Sequence, residues 1–388
     1  KPSSAASDVY KRQQFRNGKF SMGRSRRQGK SSQSFAVDQL EQRRHLAAHS
    51  QGINFNDEAL WDENFPTAVA EAKKLGVTAV RVWVGVPDWN DRPNAWDPVP
   101  AFGDVPEGEK PNVNYPAAVM KRAFELEREG FSVMLIVNGE EGNPAPTASQ
   151  TRDFFRHLRS ATESPGSTRT LADVVEYWEV GNEPNHSWYW APSGANKVNG
   201  LKSYVNQFLI PAADALHEGS FNEKVVSAGP SHDPADLKTI LDELKAKGRL
   251  DAIDYAGFHP YGQVNSNTNE IKSRTAAAKT HADAVGKKMM ATEWNVRGLG
   301  TSGANDATWA AAMDKAYRET IQPNYEANYY FALVNNWAAR GGTTSARPGG
   351  VLKHTSTSPV TPTSSISALK AYYTSSLVAA NPFYSTYN

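Results

Sequence analysis

The sequence predicts an α/β chain folded as one closed β/α domain, and three observations predict it. From about residue 51, short apolar segments alternate with amphipathic ones. Most of the apolar segments are continuous runs, not alternations, which suits parallel strands covered on both faces. No linker or shift of composition interrupts residues 51–388.

The elements follow in order. Eight strands are expected, at Gly52–Phe55, Thr78–Val86, Phe131–Asn138, Val174–Gly181, Lys224–Ala228, Ile253–His259, Lys287–Glu293 and Asn328–Trp337. The helical patterns fall at Asp62–Leu75, Ala117–Glu129, Ala148–Ser160, Leu201–His217, Pro234–Lys247, Ile271–Val285, Asp306–Ile321 and Ser364–Tyr373. Several end at glycine (Gly76, Gly130, Gly219, Gly248 and Gly286), as helices that close on a left-handed residue do. Eight such units in a chain of 388 residues predict a (β/α)8 TIM barrel. The alternative is a doubly wound open sheet, but no G-x-G-x-x-G follows the first strand.

Residues 1–50 differ. Lys11 to Lys30 is basic, polar and aperiodic, the composition of a disordered leader. The first dozen residues, through Tyr10-Lys11-Arg12-Gln13, resemble a translated sequencing-adapter segment. Val37 to Ala48 resembles the Leu-Glu-x-Arg-x-Leu-x-Ala segment of exported planctomycete proteins, which implies a secreted or cell-surface protein.

Composition sets further bounds. A net charge of +1 argues against a nucleic-acid surface. With no run of 18 apolar residues, no transmembrane helix is expected, and with no cysteine neither disulfides nor thiolate metal sites can form. No cofactor is expected, and the chain is expected to be a monomer.

The polar residues at the strand ends carry the chemistry. Arg81 interrupts the apolar run Val80-Arg81-Val82-Trp83-Val84, so it should point into the barrel and find an anion there. That anion is either a structural partner, with Glu179 a candidate, or a catalytic carboxylate. Strand four ends in Gly181-Asn182-Glu183-Pro184-Asn185, whose Gly and Pro force a turn that presents an amide and a carboxyl. Strand six ends in His259-Pro260-Tyr261, two side chains on one face. Strand seven closes on Thr292-Glu293-Trp294-Asn295, strand eight on Trp337, and strand three on Asn138. Two carboxyls at one barrel mouth meet the requirement of glycoside hydrolysis, a proton donor beside a nucleophile or base.

This pattern resembles clan A glycoside hydrolases. Asn-Glu-Pro, His-x-Tyr and the strand-seven Glu are similar to family five; Trp178 to Asn185 and Thr292 to Asn295 look closer to family thirty-nine. The resemblance implies Glu183 as acid and base, and Glu293 as nucleophile. It implies that Asn182 binds the sugar 2-hydroxyl, that Arg81 and Tyr261 hold Glu293 ionised, and that His259 lines the subsite or tunes Glu183. Trp337 would stack under the reacting sugar. Trp188 and Trp190 are further expected sugar contacts, and Trp294 and Asn138 complete the substrate-binding set.

The expected function is therefore retaining, endo-acting cleavage of a β-linked polysaccharide, a carbohydrate substrate with no membrane partner. An exo-acting β-glycosidase of β-xylosidase type, a noncatalytic glycan-binding barrel and a metal-dependent hydrolase are the alternatives. The last requires clustered His and Asp ligands, and His259 has no obvious companions in the sequence.

Overall fold

The computed structural model describes residues 50–55, 57–60, 64–86, 116–139, 145–186, 190, 196–218, 223–263, 268–297, 306–331, 334–335, 352–355 and 358–362. Eight parallel strands close a barrel: β1 (Ser50–Phe55), β2 (Ala79–Val86), β3 (Ser132–Gly139), β4 (Val175–Val180), β5 (Lys224–Ser227), β6 (Tyr255–Phe258), β7 (Lys288–Trp294) and β8 (Ala327–Tyr330). Each pairs with its sequence neighbours, and β8 pairs with β1 to complete the circle. This is the (β/α)8 fold that the alternating pattern predicts.

Helices connect the strands. Those over Pro116–Arg128, Ala148–Ser160, Pro234–Ala246 and Asn269–Asp283 fall within two residues of expectation at each end. The first connection differs: two helices, Asp57–Leu60 and Phe65–Lys74, stand where one is expected. After Lys74 the chain turns at Gly76, φ +74°, a conformation costly for a residue with a Cβ. There Val77 N–H donates to Ala72 O, the closing bond of a glycine-terminated helix. The expected helix at 364–373 and Gly219 lie outside the described residues.

Strand eight is shorter than its apolar run suggests. β8 stops at Tyr330, and Val334–Asn335 pairs instead with Leu352–Thr355 in a separate three-stranded sheet. The break falls where Phe331 N–H donates to Trp294 O and Asn295 Nδ2 donates to Phe331 O, so β7 captures the end of β8.

The core has two compartments. A large cluster lies between strands and helices. A separate one, formed by Ala79, Met134, Tyr177, Val226, Met290, Ala327 and Tyr329, fills the barrel interior. Gly52 belongs to this packing: a Cβ there would stand 2.2 Å from Tyr329 Cδ1. Because side chains alternate along a strand, the residue two positions beyond each interior one shares its face, nearer the carboxyl ends. Those residues include Asn54 on β1, Arg81 on β2, Glu179 on β4 and Thr292 on β7. A polar floor thus rests on an apolar plug, and it underlies the barrel face where such folds build their sites.

Candidate active site

Arg81 anchors the floor. It is 2% exposed, and its guanidinium reaches four partners. Nε donates to Glu179 Oε2 at 2.5 Å, Nη1 to Asn54 Oδ1 at 2.6 Å and to Glu293 Oε1 at 2.7 Å, and Nη2 to Asn182 Oδ1 at 3.1 Å. Burial works against the guanidinium charge, but Glu179 and Glu293 outweigh it and raise its pKa further. Both expected partners of Arg81 are therefore real: one cation serves a structural acid and a strand-end acid together. Burial alone would raise the Glu179 carboxyl; Arg81, with His259 3.9 Å away, holds it below its ordinary value.

Glu293 reaches the interior through a bulge. Asn328 pairs with Ala291 but Tyr330 pairs with Trp294, so β7 spends three residues where β8 spends two. The extra residue lets Thr292 and Glu293 both turn inward, and bulges re-aim side chains in this way. Tyr261 OH donates to Glu293 Oε2, opposite the oxygen held by Arg81. Tyr261 is itself held from behind, its carbonyl accepting from Arg274 Nη1 at 2.5 Å.

Glu183 is delivered by a strained turn. Gly181 takes φ +93°, and a Cβ there would meet Tyr204 Cε2 at 3.0 Å. Tyr204 is the pin beneath the turn: its hydroxyl donates to Val180 O at 2.5 Å and accepts from Ala228 N at 2.9 Å, tying the ends of β4 and β5. Glu183 itself has φ +37°, a region that residues with a Cβ rarely occupy and that clusters at functional positions. Asn138 Oδ1 accepts from Asn182 N–H at 3.1 Å, so Asn138 shapes the turn from β3.

His259 joins the two acids. It is fully buried; Nδ1 stands 3.0 Å from Glu183 Oε1 and 3.7 Å from Glu293 Oε2, and Nε2 stands 3.0 Å from Thr292 Oγ1. Burial disfavours an imidazolium, but Glu293, Glu179 and Glu183 together pull the imidazole up to about 9. Burial likewise raises the Glu183 carboxyl, and the His259 hydrogen bond and charge overcome it, bringing Glu183 down to about 2. The two shifts describe one shared proton, which rests on the imidazole at neutral pH.

One ligand atom each from Glu183, His259 and Glu293 lies within 4.8 Å of the other two, a spacing that a cation could span. The donor set opposes one. Arg81 already sits 2.7 Å from one Glu293 oxygen, and the Tyr261 hydroxyl takes the other. The same distances suit two carboxylates working on one bond.

Several expected site residues are placed elsewhere. Trp294 is a correction: it is fully buried on the helix side, packed on Tyr317 and Tyr330, with Nε1 donating to Asn328 Oδ1. The bulge that turns Glu293 in turns its neighbour out. Trp190 is half-buried, its indole packed on Tyr204 and Phe208 in the helical layer. Trp188 and Trp337 lie outside the described residues. Two residues that sequence reasoning missed are Asn54 and Thr292. Each is a polar residue inside an apolar strand, the signal that exposed Arg81.

No protein-family model matches the chain, and no curated protein sequence matches it. Solved structures do. A glucosidase from Croceicoccus marinus superposes with a TM-score of 0.58 at 16% identity, covering 79% of this chain and 63% of that one. The chain thus spans about 63% of that glucosidase's length. An endo-β-1,4-mannanase from Thermotoga petrophila gives 0.55 at 12% identity, over 86% of this chain and 78% of the other. A monomeric β-xylosidase from Caulobacter crescentus gives 0.55 at 14%, over 83% and 67%. At these identities the likeness establishes a shared (β/α)8 barrel.

Proposed function

We propose that the protein is a retaining glycoside hydrolase that cleaves β-glycosidic bonds of a polysaccharide from within the chain. The observation that carries this reading is the approach of Glu183 and Glu293 to within 4.8 Å, one from the end of β4 and one from the end of β7. Inverting enzymes leave about 6.5–9.5 Å between their carboxyls to admit a water, whereas retaining ones bring them to about 5–5.5 Å. The names of structurally similar proteins (glucosidase, mannanase, xylosidase) agree with it.

The chemistry follows from the placement. Glu293 attacks the anomeric carbon while the bond to the leaving oxygen breaks, and Glu183 delivers a proton to that oxygen. A covalent glycosyl-enzyme results. Water then attacks the anomeric carbon, Glu183 takes its proton, and Glu293 is released. Arg81 and Tyr261 each grip one oxygen of Glu293, which holds the nucleophile in one orientation. His259, 3.0 Å from Glu183, stores the proton that the acid step uses. Asn182, fixed by Arg81 and Asn138, would bond the sugar 2-hydroxyl in this reading. No helix among the described residues is long and apolar enough to cross a membrane. A polysaccharide substrate and the basic leader together favour action outside the cell.

The test is product release from xylan, mannan, β-glucans and galactan, with Glu293→Gln run beside the wild type. Oligosaccharides from one polymer, absent with the variant, are expected. Monosaccharide alone would indicate exo action, and undiminished hydrolysis by Glu293→Gln would overturn the assignment.

A further inference from the structure

We propose that Thr292 is a positioning residue for proton delivery: its hydroxyl accepts from His259 Nε2–H and so reserves the hydrogen on Nδ1 for Glu183. The inference rests on the reading of Glu183 as the acid.

The contacts of the His259 ring carry it. The ring is fully buried, so each of its nitrogens must find a partner within the protein. Nδ1 stands 3.0 Å from Glu183 Oε1, and Nε2 stands 3.0 Å from Thr292 Oγ1. The carboxylate on the Nε2 side, Glu179, has Oε1 3.9 Å away, beyond hydrogen-bond reach, and that oxygen already accepts from Gly229 N–H at 3.2 Å. Gly229 also closes the approach beside the contact. A Cβ on it would stand 2.6 Å from Nε2 and 2.7 Å from Thr292 Oγ1, so its backbone leaves no gap there for a water. Among the described residues, Thr292 is therefore the acceptor that Nε2–H reaches. The bulge in β7 that turns Glu293 inward is also what brings Thr292 to the ring.

The direction of the bond follows from charge. Glu183 faces Nδ1, Glu293 Oε2 lies 3.7 Å from the same nitrogen, and Glu179 lies beyond Nε2. Tyr261 meets the ring edge-on, its hydroxyl turned to Glu293. The Arg81 cation bonds Glu179 and Glu293 and offsets part of their pull. Burial opposes a charge on the ring, and the three carboxylates outweigh it. A ring with hydrogens on both nitrogens can only donate, so the hydroxyl oxygen accepts.

The consequence lies in the proton's path. When Nδ1 gives its hydrogen to Glu183, the hydrogen on Nε2 stays with Thr292, and the neutral ring is left with a lone pair at Nδ1. In the second step Glu183 draws a proton from the attacking water, and that lone pair takes it back. Without the hydroxyl, Nε2–H becomes a buried donor with no partner, which penalises the charged ring first.

The experiment is an NMR titration of protein carrying isotope-labelled histidine, with the His259 signal identified by its loss in His259→Asn. Thr292→Val, nearly isosteric, should lower the His259 midpoint by about one to two pH units, the worth of one hydrogen bond to a charged group. Thr292→Ala, which removes the hydroxyl without adding a methyl, should lower it too. Thr292→Ser, which keeps the oxygen, should restore the wild-type midpoint. The basic limb of kcat/KM, on whichever polysaccharide the wild type cleaves, should move with the midpoint in Thr292→Val. An unmoved midpoint would overturn the proposal. So would a rise in it, the sign of a hydroxyl donating to a neutral ring, or a Ser variant that matches Val. A wild type inert toward every polysaccharide would instead overturn the glycosidase reading, while the titration would still judge Thr292.

Discussion

The His259 imidazole and the Glu183 carboxyl are held 3.0 Å apart, Nδ1 to Oε1, with Thr292 at the opposite ring nitrogen. This contact sets how the protein should respond to pH. His259 rises from 6.5 to about 9 on folding, so its stabilisation is complete below pH 6.5 and disappears as pH climbs through 9. Glu183 falls from 4.5 to about 2, so its contribution is complete above pH 4.5 and disappears as pH drops through 2. The stability gap between wild type and His259→Asn should therefore be widest from pH 4.5 to 6.5. It should narrow by about 3 kcal/mol toward either extreme. Thermal melts of both proteins across pH 3–10 check this; a constant gap would refute the shared proton.

Arg81 bonds both Glu179 and Glu293 at 2.5 and 2.7 Å, closer than His259 comes to either. Arg81→Met should cost about 3–5 kcal/mol, because two buried carboxylates lose their counter-charge. Arg81→Lys should recover little, since an ammonium cannot reproduce a fork that spans Glu179, Asn54, Glu293 and Asn182. Urea unfolding gives both values.

Gly229 presses its backbone against the imidazole. A Cβ there would stand 2.3 Å from His259 Cδ2, 2.6 Å from Nε2 and 2.7 Å from Thr292 Oγ1. Gly229→Ala should tilt the ring away from Glu183 and reduce kcat about a hundredfold, the effect of misplacing a catalytic group by about 1 Å. Overpacking should cost about 1–3 kcal/mol of stability, which the fold should survive. Circular dichroism beside steady-state kinetics separates the two effects.

The approach of Glu183 and Glu293 to within 4.8 Å predicts the stereochemistry. The first product formed should keep the β anomeric configuration, with the α form appearing only by later mutarotation. Proton NMR of the anomeric signals in the first minutes of reaction reports this. Initial release of the α anomer would require a water between the acids and would exclude Glu293 as nucleophile.

Much of this was legible in the chain. Eight apolar runs separated by helical periodicity pointed to the barrel, because parallel strands buried on both faces read as continuous apolar runs. Arg81 disclosed itself as an interior residue, since a charge among Val80, Val82 and Val84 cannot face the helical layer unpaired. Gly181 and Pro184 announced the turn that carries Glu183.

The tertiary structure decided the rest, because it depends on register. The bulge in β7 is a property of its pairing with β8, and no local feature of Thr292-Glu293-Trp294 reveals which side chains turn inward. An unbroken alternation would put Trp294 on the same face as Thr292; the pairing buries the indole on the helix side and frees Glu293 for the barrel. Nor can the chain show that Arg81 serves Glu179 and Glu293 at once, when 98 residues separate the first pair and 212 the second. Side chains so far apart in sequence meet only when the barrel closes, and their charges are set by that meeting.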